Sequence, residues 1–231
     1  MKSNPKNLRS KKITSRQIKD ILYEQVARIG KAASSPKRLE LLELLSQGEM
    51  NVEQLAAEAQ ISVKLASAHL SVLKSASLVE TRRAGKNIYY SLAATDVANF
   101  WVTIRTLAED RLLELQAALG SIVTGSDKLA PLDRTELLRE AASGEVIVID
   151  VRPEAEFTAG HLPFARSIPL AELKKRIAEL PMDKAIVAYC RGPFCLFASE
   201  AVNILESAGH RAIRLDDGVA EWQAHGFSIE N

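Results

Sequence analysis

The 231-residue chain has room for two domains of about 100 residues each, and its 47% hydrophobic content is that of an ordinary globular protein. No apolar run reaches the roughly 18 residues needed to cross a membrane, and the first 19 residues hold no apolar stretch of the signal-peptide kind, so a cytoplasmic protein with no membrane partner is expected. The net charge of +1 hides an asymmetry: residues 1–119 carry 18 Lys and Arg against 12 Asp and Glu, and residues 120–231 carry 12 against 17.

Seven of the cations, Lys2, Lys6, Arg9, Lys11, Lys12, Arg16 and Lys19, precede the first acid. Residues 1–13 read as a basic tail, either solvated or reaching DNA phosphates. Ile18, Ile21, Leu22, Val26 and Ile29 then recur at helical spacing, which predicts a helix over 14–33. Pro36 suits the first turn of a second helix, with Leu39, Leu42 and Leu45 inward and Gly48 near its end. Shorter helices are expected over 52–59 and 62–75. Residues 79–83 and 87–92 read as strands joined at Ala84-Gly85-Lys86. A long amphipathic helix over 94–119 closes a domain spanning 14–119.

Two short helices followed by a hairpin fit a winged helix-turn-helix. At about 100° per residue, Ile61, Leu65, Ala66, Leu70 and Leu73 share one side of the helix over 62–75. Lys64, Ser67, Ala68, Ser71 and Ser75 share the other, a small polar face that suits a major groove. Arg82, Arg83 and Lys86 on the hairpin suit phosphates, which position rather than specify. His69 points to the core side and is expected to be packed and hydrogen-bonded.

The stretch from Ile61 to Leu92 resembles the ArsR/SmtB family of regulators, most specifically in His69-Leu70 and in Gly85-Lys-Asn-Ile-Tyr-Tyr-Ser-Leu92. The resemblance covers about residues 20–118. It implies a homodimer joined through the first and last helices, binding a double-stranded DNA operator and released by a signal. Many members sense metals through thiolates or histidines. Here Glu49-Met-Asn-Val-Glu-Gln-Leu-Ala56 has no cysteine, and the last helix offers Asp96, Glu109, Asp110 and Glu114 but no histidine. No metal and no cofactor are therefore expected.

Residues 120–131, with Gly120, Gly125, Ser126 and Pro131, read as a linker. In residues 132–231 short apolar strands (146–150, 185–189, 212–215) alternate with helices (134–142, 170–180, 197–208). That alternation predicts an α/β domain with a largely parallel sheet. Val146-Ile-Val-Ile-Asp150-Val-Arg152, then Glu156-Phe157 and Gly160-His161-Leu162-Pro163, resemble the opening of rhodanese domains. The resemblance runs over about 130–229, through Leu215-Asp-Asp-Gly218, where the family more often has Gly-Gly in place of Asp217-Gly218. The chain is thus expected to be a mainly-α winged helix-turn-helix followed by an α/β rhodanese-like domain.

Cys190 and Cys195 are the two cysteines. Cys190 follows an apolar strand and precedes Arg191-Gly192-Pro193-Phe194-Cys195 and a helix. That places the thiol at the carboxyl edge of a parallel sheet, where ligands bind. Loop amides, the helix N-terminus and Arg191 would favour its thiolate. The two resemblances together imply a DNA-binding regulator whose rhodanese-like domain carries or senses sulfane sulfur through Cys190. They also imply sulfurtransferase activity in which Cys190 is the nucleophile, taking sulfur from thiosulfate or a persulfide and passing it to a thiol acceptor. Arg191, Gly192 and Phe194 belong to the same loop, and Cys195 is a candidate resolving thiol or an apolar filler. Asp150 and Arg152 read as supports at the strand end, and His161 as a residue that orders a turn. The loop is longer than in common single-domain rhodaneses, which suits an oxyanion as in related phosphatases and arsenate reductases. Those need an arginine six positions after the cysteine, where this chain has Leu196. A non-catalytic sensing or interaction module is the other alternative.

Overall fold

The computed structural model describes residues 13–122 and 133–231. The basic tail up to residue 12 and linker residues 123–131 lie outside them. No helix among the described residues is long and apolar enough to cross a membrane.

The first domain runs α1 (Ser15–Ala33), α2 (Pro36–Ser46), β1 (Met50–Asn51), α3 (Val52–Glu58), α4 (Val63–Ser75), β2 (Val79–Ala84), β3 (Asn87–Leu92), α5 (Thr95–Arg111) and α6 (Leu113–Ile122). Its helix starts are locally encoded. Thr14 and Gln17 form a capping box on α1, Asn51 and Gln54 form one on α3, and the Ser62 hydroxyl accepts from the Leu65 amide at 3.2 Å to open α4. Each cap satisfies an N–H that has no partner inside the helix. Leu41, Leu42, Leu44 and Leu45 of α2 are buried with Leu55, Leu70, Leu73 and Val97, so α2 is the central helix. The hairpin pairs β2 with β3 in register Thr81↔Tyr90, and two-residue β1 adds to its other side.

One expected element is divided. The helix predicted over 94–119 breaks at Leu112, whose φ of −108° and ψ of 107° are extended, and α6 starts anew beyond it. The Gln116 side chain donates to the Glu109 carbonyl at 2.7 Å, occupying an acceptor that the break leaves open. No proline or glycine marks this break. Gly120, expected in the linker, lies within α6.

The second domain runs α7 (Arg134–Ser143), β4 (Val146–Asp150), α8 (Glu154–Ala159), β5 (Arg166–Ser167), α9 (Leu170–Arg176) with a 3-10 turn over Ile177–Glu179, β6 (Ala185–Tyr189), α10 (Phe197–Ser207), β7 (Arg211–Arg214) and α11 (Val219–Ala224). The sheet order is β5-β4-β6-β7 and every pair is parallel. Both faces are covered, which is why the strands are nearly continuous apolar runs. Ile147, Ile149, Ile186 and Ala188 face α9 and α10 residues such as Leu173, Val202 and Leu205. Val148, Val187 and Tyr189 face Leu137, Leu162 and Trp222. The short α8, β5 and α11 have too few residues for a periodic signal.

The two domains are packed together. α5 lies against α11, and Trp101, Val102 and Ala220 are buried beside Leu39 and Phe194. Gly48 sits at φ +148°, and a Cβ there would stand 3.1 Å from that of Ala159 across the interface. A glycine here permits the close approach.

Candidate functional site

Lys64, Ser67, Ala68 and Ser71 are all exposed on one face of α4, while Ala66, Leu70 and Leu73 on the opposite face are fully buried. Leu65, expected inward, is 44% exposed and lies near the edge of that outer face. His69 is half-buried and makes no hydrogen bond among the described residues, so only its expected packing is seen. Arg83 and Lys86 are exposed on the hairpin. Arg82 is engaged: its guanidinium pairs with Glu49 and lies 5.3 Å from the Tyr89 ring centroid.

In the second domain, parallel strands bring Asp150 and Cys190 to the same sheet edge. Arg152 wraps around Asp150, donating from Nε at 3.0 Å and from Nη2 at 2.5 Å. The Tyr189 hydroxyl donates to Asp150 at 2.6 Å, and Arg152 also reaches the Gly160 carbonyl at 2.7 Å. Asp150 and Arg152 are fully buried, so their charges meet each other rather than a substrate. His161 stacks on Phe157 at 3.7 Å between ring centroids and bonds its carbonyl at 3.0 Å, which holds a turn.

Cys190 is 1% exposed. Its thiol lies 3.5 Å from the Cys195 carbonyl and 3.9 Å from that of Gly192. The expectation that Cys190 is the thiolate meets a contrary environment. Burial pushes its thiol well up, and it also donates to Cys195. The neighbouring Cys190 thiol first, then the backbone at Arg191 and Phe197 and the charge of Arg191, favour the Cys195 anion against the opposing effect of burial and hold its thiol down at about 6. Of the two thiols, Cys195 has the surroundings that favour the anion and Cys190 the surroundings that oppose it. The backbone at the start of α10 acts on both sulfurs in the lowering direction, at Ala198 on Cys190 and at Phe197 on Cys195.

Arg191 turns away from Cys190. It grips Glu156 with Nε at 3.0 Å and Nη2 at 2.5 Å, and its Nη1 reaches Glu58 of α3 at 2.8 Å. Phe194 crosses the interface to meet Trp101 edge-on at 6.1 Å, with Arg105 over its ring at 5.8 Å. Arg105 and Glu221 close a buried ion pair at 2.6 Å. Arg214 holds the loop from within its own domain, donating to the Pro193 carbonyl at 2.9 Å. A Cβ on Gly218 would fall 2.7 Å from the Cys190 and Arg191 backbone, so only glycine lets α11 approach the loop. Leu196 is 55% exposed.

The sequence pattern does not reveal Glu43, Glu58, Trp101, Arg105, Glu156 and Glu221 as neighbours of this loop. One signal is present: Glu43 interrupts the leucines of Leu39-Glu-Leu-Leu-Glu-Leu-Leu45, where a charge invites a reason.

Comparison with known proteins agrees with this division. The family model described as "Bacterial regulatory protein, arsR family" matches residues 35–81, and that of the rhodanese-like domain matches residues 133–225. The HTH-type transcriptional regulator Rv0324 of Mycobacterium tuberculosis is 45% identical over 212 residues, covering 92% of this chain and 93% of that protein. A sulfurtransferase of Allochromatium vinosum is 31% identical over 91 residues, 39% of this chain and 84% of that protein. A solved homodimeric winged helix-turn-helix domain from Mycobacterium bovis is 42% identical, covers 44% of this chain and 92% of that one, and superposes with a TM-score of 0.41. The chain belongs to the ArsR family of DNA-binding regulators, in the form that carries a C-terminal rhodanese-like domain.

Proposed function

We propose that this regulator reads sulfane sulfur: Cys190 takes a sulfur atom, and the change at its loop alters DNA binding by a homodimer on an inverted-repeat operator. One observation carries the reading. The loop that holds Cys190 and Cys195 is also a contact surface between the two domains, through Arg191 to Glu58 and Phe194 to Trp101. With Cys190 1% exposed, a donor reaches it only when this loop moves, and the same movement disturbs the DNA-binding domain.

The chemistry follows from the pair. As the donor enters, Cys195 accepts the Cys190 proton and Cys190 attacks the outer sulfur of a persulfide R–S–SH. The donor's S–S bond breaks, the departing RS⁻ takes the proton from Cys195 and leaves as RSH, and Cys190 holds –S–SH beside a Cys195 thiolate. Passing that sulfur to an external thiol is sulfur transfer. Alternatively the Cys195 thiolate attacks the Cys190 sulfur, expels HS⁻ and leaves a Cys190–Cys195 disulfide. The sum, R–S–SH plus one thiol and one thiolate giving RSH, HS⁻ and the disulfide, balances in atoms and charge. The sulfane sulfur is reduced and the two cysteines are oxidised. Thiosulfate would serve as donor in the same way, with sulfite leaving.

A dimer fits the apolar side chains that the first domain leaves in water. Ile18, Ile21, Leu22 and Val26 of α1 are 48–71% exposed, and Leu113 at the start of α6 is 76% exposed. The exposed Leu196 in place of an arginine speaks against phosphatase or arsenate reductase chemistry.

Intact-protein mass spectrometry after persulfide treatment tests the sulfur reading. Wild type should gain one sulfur or lose two hydrogens, and Cys190→Ser should do neither. Cys195→Ser should still gain the sulfur, with its uptake shifted to higher pH because Cys190 loses its proton acceptor, and should form no internal disulfide. Full sulfur uptake by Cys190→Ser would remove Cys190 from the role.

A further inference from the structure

α2 of the DNA-binding domain turns one stripe toward the sulfur loop, and Glu43 is its centre. Residues four apart share a helix face. Leu39 packs in the interdomain cluster with Trp101, Ala220 and Phe194. Gln47 accepts from Arg152 of the second domain at 2.9 Å. Glu43 lies between these two contacts, and its Oε1 is sealed from water with no hydrogen-bond partner among the described residues. Such an orphaned oxygen is costly if charged and tolerable if the carboxyl keeps its proton.

The groups facing Glu43 come from three elements: Arg191 and Cys195 on the loop, Arg105 on α5 and Glu221 on α11. Burial first, and then the like charges of Glu221 and Cys195, push its carboxyl up to about 7, against the pull of Arg105 and Arg191. Both arginines are already committed, Arg105 to Glu221 and Glu109 and Arg191 to Glu156 and Glu58.

We propose that Glu43 is a positioning residue that carries the charge state of the sulfur pair into the DNA-binding domain, keeping its proton while the pair is anionic and releasing it once the pair is a disulfide. Near neutral pH the balance is close enough for one neighbouring charge to decide it. When the Cys195 anion is consumed, the Glu43 proton leaves to solvent. The new carboxylate competes for Arg105 and Arg191, whose present partners tie the domains together. A sulfur event thereby becomes a redistribution of ion pairs on α2, the central helix of the DNA-binding domain. This deepens the sulfur reading and depends on it for its physiological trigger. The proton linkage itself does not, because a disulfide can be made with diamide.

The test uses full-length protein and the infrared carbonyl band of a protonated carboxyl. The wild type minus Glu43→Gln difference isolates the Glu43 band. In reduced protein its midpoint should lie near pH 7. After diamide oxidation, and again in a Cys195→Ser background, the midpoint should fall by about half a unit or more. Glu43→Asp should restore a band. Glu43→Gln is nearly isosteric with the protonated acid and should fold. It should keep sulfur uptake while losing the difference in operator affinity between reduced and diamide-oxidised protein. No difference band, an unmoved midpoint, or an affinity difference that survives in Glu43→Gln would each overturn the proposal. Failure of wild type to take up sulfur would sink the sulfur reading alone.

Discussion

Two fully buried charges, Asp150 and Arg152, show how far single residues are legible in a sequence. Their spacing at the end of a strand points to a support rather than a reacting pair, and the hydrogen bonds of Arg152 to Asp150 and Gly160 fit that reading. What the pattern cannot reach is the partner in the other domain. Arg152 also donates to Gln47, 105 positions away, and tertiary contacts of that kind leave no local mark. The sulfurs are similar. Two nearby cysteines beside an arginine are visible, but the amides that favour Cys195 depend on how the loop folds back. Removing Arg152 would leave the fully buried Asp150 carboxylate without its cation. Arg152→Ala should therefore destabilise the protein by about 3–5 kcal/mol, the usual consequence of leaving a buried charge unpaired. Urea unfolding measures this, and a destabilisation below about 1 kcal/mol would mean that water enters and Asp150 is not sealed.

Elements with long periodic patterns are legible to within a residue or two, because periodicity and capping act locally. α4 is the clearest case, with Ser62 as its cap and Ala66, Leu70 and Leu73 inward. The break at Leu112 is not legible, since apolar spacing continues through it. The hairpin illustrates a finer limit. All three of its cations suit phosphates and all three are exposed, but Arg82 is held by Glu49, so Arg83 and Lys86 are the ones without an ion pair among the described residues. For DNA binding the α4 face and the hairpin should behave differently. Lys64→Ala and Ser67→Ala should lower affinity for the specific operator, by about 1–3 kcal/mol for each base that the side chain no longer holds. Arg83→Ala and Lys86→Ala should weaken binding to any duplex and reduce the salt slope by about one each, while Arg82→Ala should have the smaller effect. Gel-shift titrations at several salt concentrations separate the two outcomes. Equal weakening on specific and random DNA for the α4 variants would mean that α4 is not the reading helix.

The whole molecule depends on whether its halves act as one body. Two domains joined by a breaker-rich linker would ordinarily be expected to move independently. Here the contact between them is apolar at Trp101, Val102, Ala220 and Phe194, and ionic at Arg105–Glu221, whose side chains are 4% and 3% exposed. A pair this buried is costly to split, because either partner left alone is an uncompensated charge. Separation of the domains would also expose Trp101 and Phe194 together. The two halves should therefore unfold in a single cooperative transition, and Arg105 is the residue on which that unity turns. Arg105→Ala leaves Glu221 and Glu109 facing each other without their shared cation. Calorimetry of wild type should give one peak, and Arg105→Ala should give two, with the rhodanese-like domain and the DNA-binding domain melting separately. Phe194→Ala, which keeps the ion pair, should fall between these behaviours and give one broadened transition. If Arg105→Ala still melts in one sharp step, the interface does not rest on this pair. If instead wild type already melts in two, the domains are independent, and a sulfur on Cys190 has no rigid path to the DNA.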